Sequence, residues 1–374
     1  MRSKWEQDDR THKSIRMNHF ICMNAAARKK SNDSPSKKGV FGIHHVTAIT
    51  GDPQRNIEFY ANNLGLRFVK LTVNQDDPTS YHLYYGDEVG RPGTILTFFN
   101  WPNISKGQRG RSEVATVSFL IPENSIRYWI DRFKEKRIEF RGPYKRFENE
   151  QIITFNDPEG LELELAAHKS SKDREANVWK EGPIPLEHAI RGFYSVTLSE
   201  GGYERTASVL IDELGFVSTQ QDGSRFRYEI PRECAREEED IGGANIVDVL
   251  CLPYTQQAII GIGSVHHVAY RTPSDKQQQV LRQSIVRAGL NATPVIDRFY
   301  FHSVYFQEPG GILFEIATNP PGFTIDEKLE ELGTHLVLPP WLEPDRKYLE
   351  KVLPKVNLPF SSKTAKITEK RIKE

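Results

Sequence analysis

Two histidine pairs and one distant glutamate are the residues with the clearest capacity for chemistry. The string His-His-Val occurs at residues 44–46 and again at 266–268, so His45 and His267 lie 222 residues apart. Alternate side chains of a strand share one face, which places Glu315 of the string ILFEIAT among apolar neighbours. A buried, unpaired carboxylate is costly unless it meets a cation. His45, His267 and Glu315 are therefore predicted to hold one metal ion.

The donor set narrows the choice of metal without settling it. Two imidazoles and one carboxylate, with open coordination positions, form the facial triad of non-haem iron(II) centres. Zinc, manganese and nickel accept the same donors, so residue type alone leaves the metal open. A single His-His pair is usually structural, but the same string at the same place in two repeats indicates a shared role.

The elements that must position these residues repeat four times along the chain. Each unit has the pattern of a strand, a helix and three further strands, judged from apolar alternation, helical spacing and Gly and Pro turn signals. The units cover residues 42–99, 112–165, 191–252 and 264–318. We predict an α+β fold of four β-α-β-β-β modules paired into two domains.

Counting supports the alignment of modules two and four. Thr116 and His267 each lie six residues before a proline, and Glu164 and Glu315 each lie six residues after one. The spacing from the first position to the second is 48 residues in both modules. Module two therefore keeps the glutamate but has threonine in place of the histidine.

The other modules show where ligands should be absent. Tyr194 replaces the histidine in module three, and Phe98, aligned by the turn at Pro92-Gly93, replaces the glutamate in module one. Glu164 stands in a module without a histidine. We therefore predict one metal site and not two.

The predicted domain bounds follow the modules and the polar segments between them. They are a disordered tail over 1–40, a first domain over 41–168 (modules one and two), a linker over 169–187, a second domain over 188–320 (modules three and four), a C-terminal extension over 321–360 and a charged tail over 361–374. Because the ligands come from the first and last modules, the site is expected to depend on the two domains meeting.

Composition excludes several classes of partner. The 374 residues contain 50 Lys and Arg against 50 Asp and Glu, a balance that gives no reason to expect nucleic acid or a membrane surface. No apolar run approaches the roughly 18 residues that a membrane span needs. Three widely separated cysteines favour a reducing, cytoplasmic setting over a disulfide framework. A homo-oligomer stays open.

At these residues the chain resembles the vicinal oxygen chelate superfamily, and within it the hydroquinone-type ring-cleaving dioxygenases. The strings that carry the resemblance are GIHHVTAITGDPQRNIEFY, YHLYYGDEVGRPGTILTFF, LEHAIRGF and DRFYFHSVYFQEPGGILFEIAT, and they span about residues 40–340. The resemblance implies the glyoxalase/extradiol dioxygenase fold. It also implies iron(II), Fe(2+), at His45, His267 and Glu315, with manganese, Mn(2+), as the alternative.

The resemblance further implies an activity and three catalytic side chains. The expected substrates are a small aromatic diol, of hydroquinone or catechol type, and O2. His44 is expected to act as an acid or base, Tyr305 to bond the bound oxygen, and Arg298 to stabilise a phenolate. Each also has an ordinary interpretation: a strand histidine with a backbone partner, a core aromatic residue, and an ion pair with Asp297. His82 and His302 are weaker candidates.

Two other functions stay open. A glyoxalase-like isomerase or thiol transferase would use the same fold with a different metal, and usually a second protein carboxylate. The phenylalanine predicted at that position argues against it. A metal-free small-molecule binding protein is the second alternative, and the complete triad argues against that one.

Overall fold

The computed structural model describes residues 39–147, 149–231 and 244–359. Modules one and two have the predicted order of elements. Module one contains β1 (Ile43–Thr50), α1 (Pro53–Ile57) with a π-helical turn (Glu58–Asn63), β2 (Arg67–Val73), β3 (Tyr81–Gly86) and β4 (Ile95–Asn100). Module two contains β5 (Glu113–Ile121), α2 (Ile126–Glu135), β6 (Phe140–Arg146), β7 (Glu150–Asn156) and β8 (Glu162–Ala167).

Modules three and four repeat this order. Module three contains β9 (Phe193–Glu200), α3 (Glu204–Ser208) with a π-helical turn (Val209–Glu213), β10 (Val217–Asp222), β11 (Arg225–Glu229) and β12 (Ile246–Cys251). Module four contains β13 (Val265–Thr272), α4 (Asp275–Arg287), β14 (Ile296–Asp297), β15 (Phe301–Gln307) and β16 (Leu313–Pro321). The predicted α+β fold of four β-α-β-β-β modules is confirmed.

The choice of partner modules differs from the prediction. Among the described residues, one eight-stranded sheet has the order β14-β15-β16-β13-β1-β4-β3-β2, and the other has the order β10-β11-β12-β9-β5-β8-β7-β6. Module one therefore shares a sheet with module four, and module two shares a sheet with module three. The predicted domains at 41–168 and 188–320 do not coincide with the sheets, because each contributes one module to each sheet.

The connections between modules explain how this pairing is reached. Residues 101–112 join module one to module two, and residues 252–264 join module three to module four. A segment of about twelve residues spans up to roughly 40 Å, which is enough to pass from one sheet to the other. The two segments run beside each other, with an antiparallel bridge between Gln108 and Ile259. The crossing chains therefore support each other.

The first helix shows how local sequence sets the module geometry. The Asp52 carboxylate accepts the Arg55 amide at 3.0 Å, and Pro53 occupies the first turn, where its missing N–H costs nothing. Gly65 follows the π-helical turn with φ at +72°, as a residue without a Cβ readily does. A Cβ there would lie 2.3 Å from the Ile184 side chain. The helix end is thus packed directly against the 169–187 segment.

The C-terminal extension packs on the first sheet. Phe323 contacts the rings of Tyr84 and Tyr300, with centroid separations of 5.1 and 5.0 Å. Lys70 of β2 is fully buried, and its ammonium lies 2.7 Å from Asp326 and also contacts Glu327. The extension is therefore tied to the sheet by an apolar contact and a buried ion pair.

The predicted tails and linker fall partly outside this description. Residues 1–38 and 360–374 lie outside the described residues, and the linker contains a 3-10 helix at Lys169–Asn177. Within the part of the chain that the structure describes, no helix combines the length and the apolar character needed to cross a bilayer.

Candidate metal centre

Three donor atoms, from His45, His267 and Glu315, converge on one face of the first sheet. The His45 Nε2 lies 3.2 Å from the His267 Nε2, and the Glu315 Oε2 lies 3.2 and 2.9 Å from these two nitrogens. Donors about 2.1 Å from one ion and at right angles to each other stand about 3.0 Å apart. The spacing of the three atoms therefore fits one face of a six-coordinate metal site.

Adjacent strands of one sheet hold the triad. His45 lies on β1 and His267 on the antiparallel β13, where Thr47 is the direct partner of His267. Glu315 lies on β16, parallel to β13, and is the partner of Ala269. Since alternate residues share a face, all three side chains point to the same side of the sheet. The three candidate donors thus lie on the first and last modules, and these two modules meet by forming one sheet.

The neighbouring histidine sets the tautomer of His45. The His44 Nε2 lies 3.1 Å from the Thr318 carbonyl, an acceptor, so that nitrogen carries the proton. Burial lowers the pKa of His44 well below its usual value, with the nearby His45 adding to the effect, so the ring is neutral. Its Nδ1 must then accept from the His45 Nδ1, 2.9 Å away. The His45 Nε2 is left with a free lone pair that faces the other two donors.

The second histidine pair repeats this arrangement. The Nδ1 atoms of His266 and His267 are 2.8 Å apart, and burial lowers the pKa of His266 to about 3. A neutral His266 that accepts at Nδ1 gives His267 the same tautomer as His45. Such an outer hydrogen bond commonly fixes the orientation of a metal-binding histidine. The repeated string could have revealed this role for His266, since it precedes His267 as His44 precedes His45.

The carboxylate completes a set of three facing acceptors. Glu315 is fully buried, and Ser303 donates to its Oε1 at 2.5 Å. Its Oε2 receives no hydrogen bond of good geometry from the described residues. A carboxylate oxygen and two imidazole nitrogens that face one another fit a bound cation.

A cleft opens beside the triad histidines. Its empty volume, including the part open to solvent, is about 360 Å³. Phe99 and Phe301 give it aromatic walls, while Arg298 and Tyr305 line it with polar groups. A lining of this kind suits an aromatic molecule that carries polar groups.

Arg298 and Tyr305 reach the cleft together. The Arg298 guanidinium lies 5.5 Å from the centre of the Tyr305 ring and forms two bonds to Asp76, at 3.0 and 2.9 Å. Its ion pair is thus with Asp76 and not with Asp297. Although burial opposes the charge, Asp76 and Tyr305 raise the pKa of Arg298, and burial raises that of Tyr305. Arg298 and Tyr305 therefore bring a cation and a neutral phenol to the cleft.

The remaining histidines divide between the cleft and the surface. His44 does not line the cleft, because it lies behind His45 with both ring nitrogens engaged. His82 does line the cleft, although its position in the sequence gave it little weight. His302 lies away from it and pairs with Asp275 at 2.6 Å.

The strand register corrects two of the predicted module equivalences. Thr47 is the partner of Thr97, so Thr97 and not Phe98 stands where Glu315 stands in module four. Thr116 is the partner of Thr197, so Ser195 and not Tyr194 corresponds to His45. Both predicted positions are wrong by one residue, and for Phe98 the error comes from the alignment by a turn. A shift of one residue moves a side chain to the opposite face of the sheet.

In the second sheet, arginine side chains lie where the first sheet has its three candidate metal ligands. Glu164 corresponds to Glu315, and Arg146 binds both of its oxygens, at 3.0 and 2.8 Å. Arg227 binds Asp248 in the same way, at 2.7 and 2.9 Å. Within the described residues, His45, His267 and Glu315 are the one cluster of three such donors close enough to share an ion.

Fold and site together define a protein built from paired modules around a candidate metal centre. The family model described as the Glyoxalase/Bleomycin resistance protein/Dioxygenase superfamily matches residues 42–165. A Bacillus subtilis protein named "Putative ring-cleaving dioxygenase MhqO" is 42% identical over 326 residues, which are 86% of this chain and 97% of the relative. The chain belongs to this superfamily.

A second relative and a solved structure are also similar to this chain over most of its length. The "Chlorohydroquinone/hydroquinone 1,2-dioxygenase" of Sphingobium indicum is 30% identical over 312 residues, which are 81% of this chain and 93% of the relative. The crystal structure of a protein described as a "putative dioxygenase" from Bacillus subtilis has a TM-score of 0.79 and 39% identity. The alignment with that structure covers 86% of this chain and 98% of the solved chain. The similarity thus extends over both sheets.

Proposed function

We propose that this protein is a ring-cleaving dioxygenase that opens a hydroquinone- or catechol-type diol with O2, using iron(II) held by His45, His267 and Glu315. The observation that carries the proposal is the convergence of three electron-rich donor atoms beside a small cleft with aromatic walls. The names of the relatives support the reaction class, and the facial triad supports iron. Manganese accepts the same donors.

When bound, the metal would supply Lewis acidity toward a phenolic oxygen and redox chemistry toward O2. The chain's own residues have separate tasks. His45 and His267 offer lone pairs because their Nδ1 protons are engaged by the preceding histidines. The aromatic walls at Phe99 and Phe301 would orient the ring and exclude water.

Arg298 and Tyr305 would handle the charge of the substrate. A permanently protonated guanidinium on the wall of the cleft would stabilise a phenolate oxygen. Tyr305, whose pKa is raised by burial, keeps its proton and can donate it in a hydrogen bond to an oxygen in the cleft. We assign His44 to the orientation of His45, since its Nε2 is committed to Thr318 and it does not face the cleft.

The alternatives differ from this proposal at identifiable residues. A glyoxalase-like isomerase would ordinarily use a second carboxylate, but Thr97 stands at the position that corresponds to Glu315. A metal-free binding protein would have no need of three facing acceptors without a proton between them. Neither alternative gains support from a feature of its own.

Oxygen uptake after anaerobic reconstitution with iron(II) tests the proposal. Hydroquinone, chlorohydroquinone and catechol are the probes, and the Glu315→Gln variant and the manganese-loaded protein are the comparisons. We expect oxygen uptake and loss of the aromatic absorbance with at least one diol. Stoichiometric iron without uptake for any diol would refute the dioxygenase assignment. Isomerisation of a 2-oxoaldehyde–thiol adduct by the same protein would favour the glyoxalase alternative.

A further inference from the structure

Two loops, one from each module of the first sheet, meet at the edge of the cleft. Residues 74–80 connect β2 to β3, and residues 298–300 connect β14 to β15. The Gln75 side-chain amide donates to the Arg298 carbonyl at 3.0 Å, and the Asp76 carboxylate binds the Arg298 guanidinium. Because Gln75, Asp76 and Arg298 all line the cleft, a bound substrate would lie beside this contact.

Local hydrogen bonds determine where the Asp76 carboxylate lies. Asn74 is buried, and its side-chain oxygen accepts the Asp76 amide at 2.9 Å. The Asn74 amide donates to the Ser80 carbonyl, which closes the loop. The Asp76 side chain is 71% exposed, whereas that of Arg298 is 19% exposed. The carboxylate thus lies on the solvent side of the cleft, and the guanidinium lies deeper in its wall.

The Asp76–Arg298 pair balances the charge of the cleft wall. Among the described residues that line the cleft, these two are the only Lys, Arg, Asp or Glu side chains. The two bonds, at 3.0 and 2.9 Å, join the Nη1 and Nη2 atoms of Arg298 to the two oxygens of Asp76. A guanidinium has more N–H donors than these bonds use, so Arg298 can still donate to a further oxygen.

A diol with a charged substituent would meet obstacles that an uncharged one avoids. A carboxylate binds arginine most strongly when it accepts two parallel N–H bonds, and Asp76 already occupies that end of the guanidinium. A carboxylate on the ring would therefore have to displace Asp76 or lie beside its negative charge. A single phenolic oxygen needs only one of the remaining donors. An alkyl or halogen substituent carries no charge for Asp76 to repel.

We propose that Asp76 is a specificity-determining residue that favours diols with uncharged ring substituents over diols that carry a carboxylate. The inference rests on the proposed function and narrows its substrate class. Asp76 acts in two ways, because it occupies the paired donors of Arg298 and its charge repels a second anion. Such rejection of a competing ligand by a like charge is a general route to specificity.

A matched pair of ligands isolates the effect of charge. (2,5-Dihydroxyphenyl)acetate and (2,5-dihydroxyphenyl)acetamide have nearly the same size and differ by one negative charge. Calorimetry measures their affinities for the anaerobic, iron-loaded protein without turnover. We expect wild type to bind the amide more tightly than the acetate. Asp76→Asn should narrow the ratio of the two Kd values about threefold to tenfold, because the carboxylate charge beside Arg298 is lost.

Two further variants and a change of ionic strength separate charge from structure. Asp76→Glu keeps the charge and should keep the wild-type ratio of Kd values. Asp77→Asn removes a neighbouring carboxylate that binds Thr79 and does not line the cleft, so it should also keep that ratio. Raising the ionic strength from about 0.05 M to about 0.5 M should narrow the ratio in wild type and not in Asp76→Asn, because exposed charges are screened by salt.

The outcomes separate this inference from the proposed function. If wild type binds no diol, methylhydroquinone included, and consumes no oxygen, the function is wrong and the inference falls with it. If wild type binds methylhydroquinone but Asp76→Asn keeps the wild-type ratio of Kd values, Asp76 does not select by charge and the function stands.

Two other results would also overturn the assignment of Asp76 and leave the function intact. If wild type binds the acetate as well as the amide, or rejects both while binding methylhydroquinone, charge does not decide which diol enters. If Asp76→Asn weakens the binding of both ligands by the same factor, Asp76 only holds Arg298 in place.

Discussion

Glu315 and Glu164 occupy equivalent positions in the two sheets, and replacing each with glutamine should have opposite consequences. Glu164 is neutralised by Arg146, with both side chains at most 6% exposed. Removing one partner of a buried ion pair typically costs about 3–5 kcal/mol, and the remaining bond from Arg146 to Glu150 places this change at about 3 kcal/mol. Metal binding should be unaffected, since Glu164 is not in the triad.

Glu315→Gln should show the reverse pattern. Without metal, no arginine loses its partner, and Ser303 can still donate to the amide oxygen, so the free energy of unfolding should change by less than about 1 kcal/mol. With free metal at a hundredfold excess over Kd, wild type should gain about 2.7 kcal/mol, because only the folded state offers the site. The variant should gain nothing.

Urea unfolding of wild type and both variants, with and without iron(II) under anaerobic conditions, measures these changes in the free energy of unfolding. Atomic absorption of the dialysed proteins gives the metal content. If Glu315→Gln retained its stabilisation by metal, the carboxylate would not be a ligand. If Glu164→Gln lost half of the bound metal, a second site would exist in the second sheet. If Glu164→Gln cost less than about 1 kcal/mol, the Arg146 pair would not neutralise a truly buried charge.

Three further outcomes follow from single contacts. Burial and the adjacent Glu308 raise the pKa of Glu200 to about 8. A carboxyl group with a raised pKa stabilises the fold at pH values below its unfolded-state pKa, which is near 4.5 here. This stabilisation is lost as the pH rises through 8. Compared with Glu200→Gln, wild type should thus lose a few kcal/mol of unfolding free energy between pH 5 and about 9, and parallel urea-unfolding curves would contradict this. His44→Phe should weaken metal binding about 10–100-fold in a chelator competition, as loss of an outer hydrogen bond usually does, and unchanged affinity would remove its orienting role. Lys70→Met should lower the free energy of unfolding in urea by about 3–5 kcal/mol, because Asp326 and Glu327 would lose their buried cation; a cost below about 1 kcal/mol would show that the extension is held by apolar contacts alone.

Sequence patterns were sufficient for the modules and for the three converging donors. The repeated His-His-Val string and the equal 48-residue spacings placed His267 and Glu315 on matching strands, and strand alternation then set their faces. The same patterns were insufficient for Phe98, which was aligned by a turn, and for Tyr194. A strand's register is set by its ladder of backbone hydrogen bonds, and one residue of turn length or one bulge changes it.

The partner choice of the modules could not be deduced from apolar patterns, because every module offers the same kind of edge and face. Which modules share a sheet depends on whether the connecting segments pass from one sheet to the other. Segments as long as 101–112 permit either arrangement. The observed pairing has a consequence for the site. His45 and His267 lie on directly hydrogen-bonded strands, so backbone bonds of a single sheet maintain their separation. Motion between the two sheets would therefore leave the donor triangle intact, and the geometry that a metal needs is built before any ligand arrives.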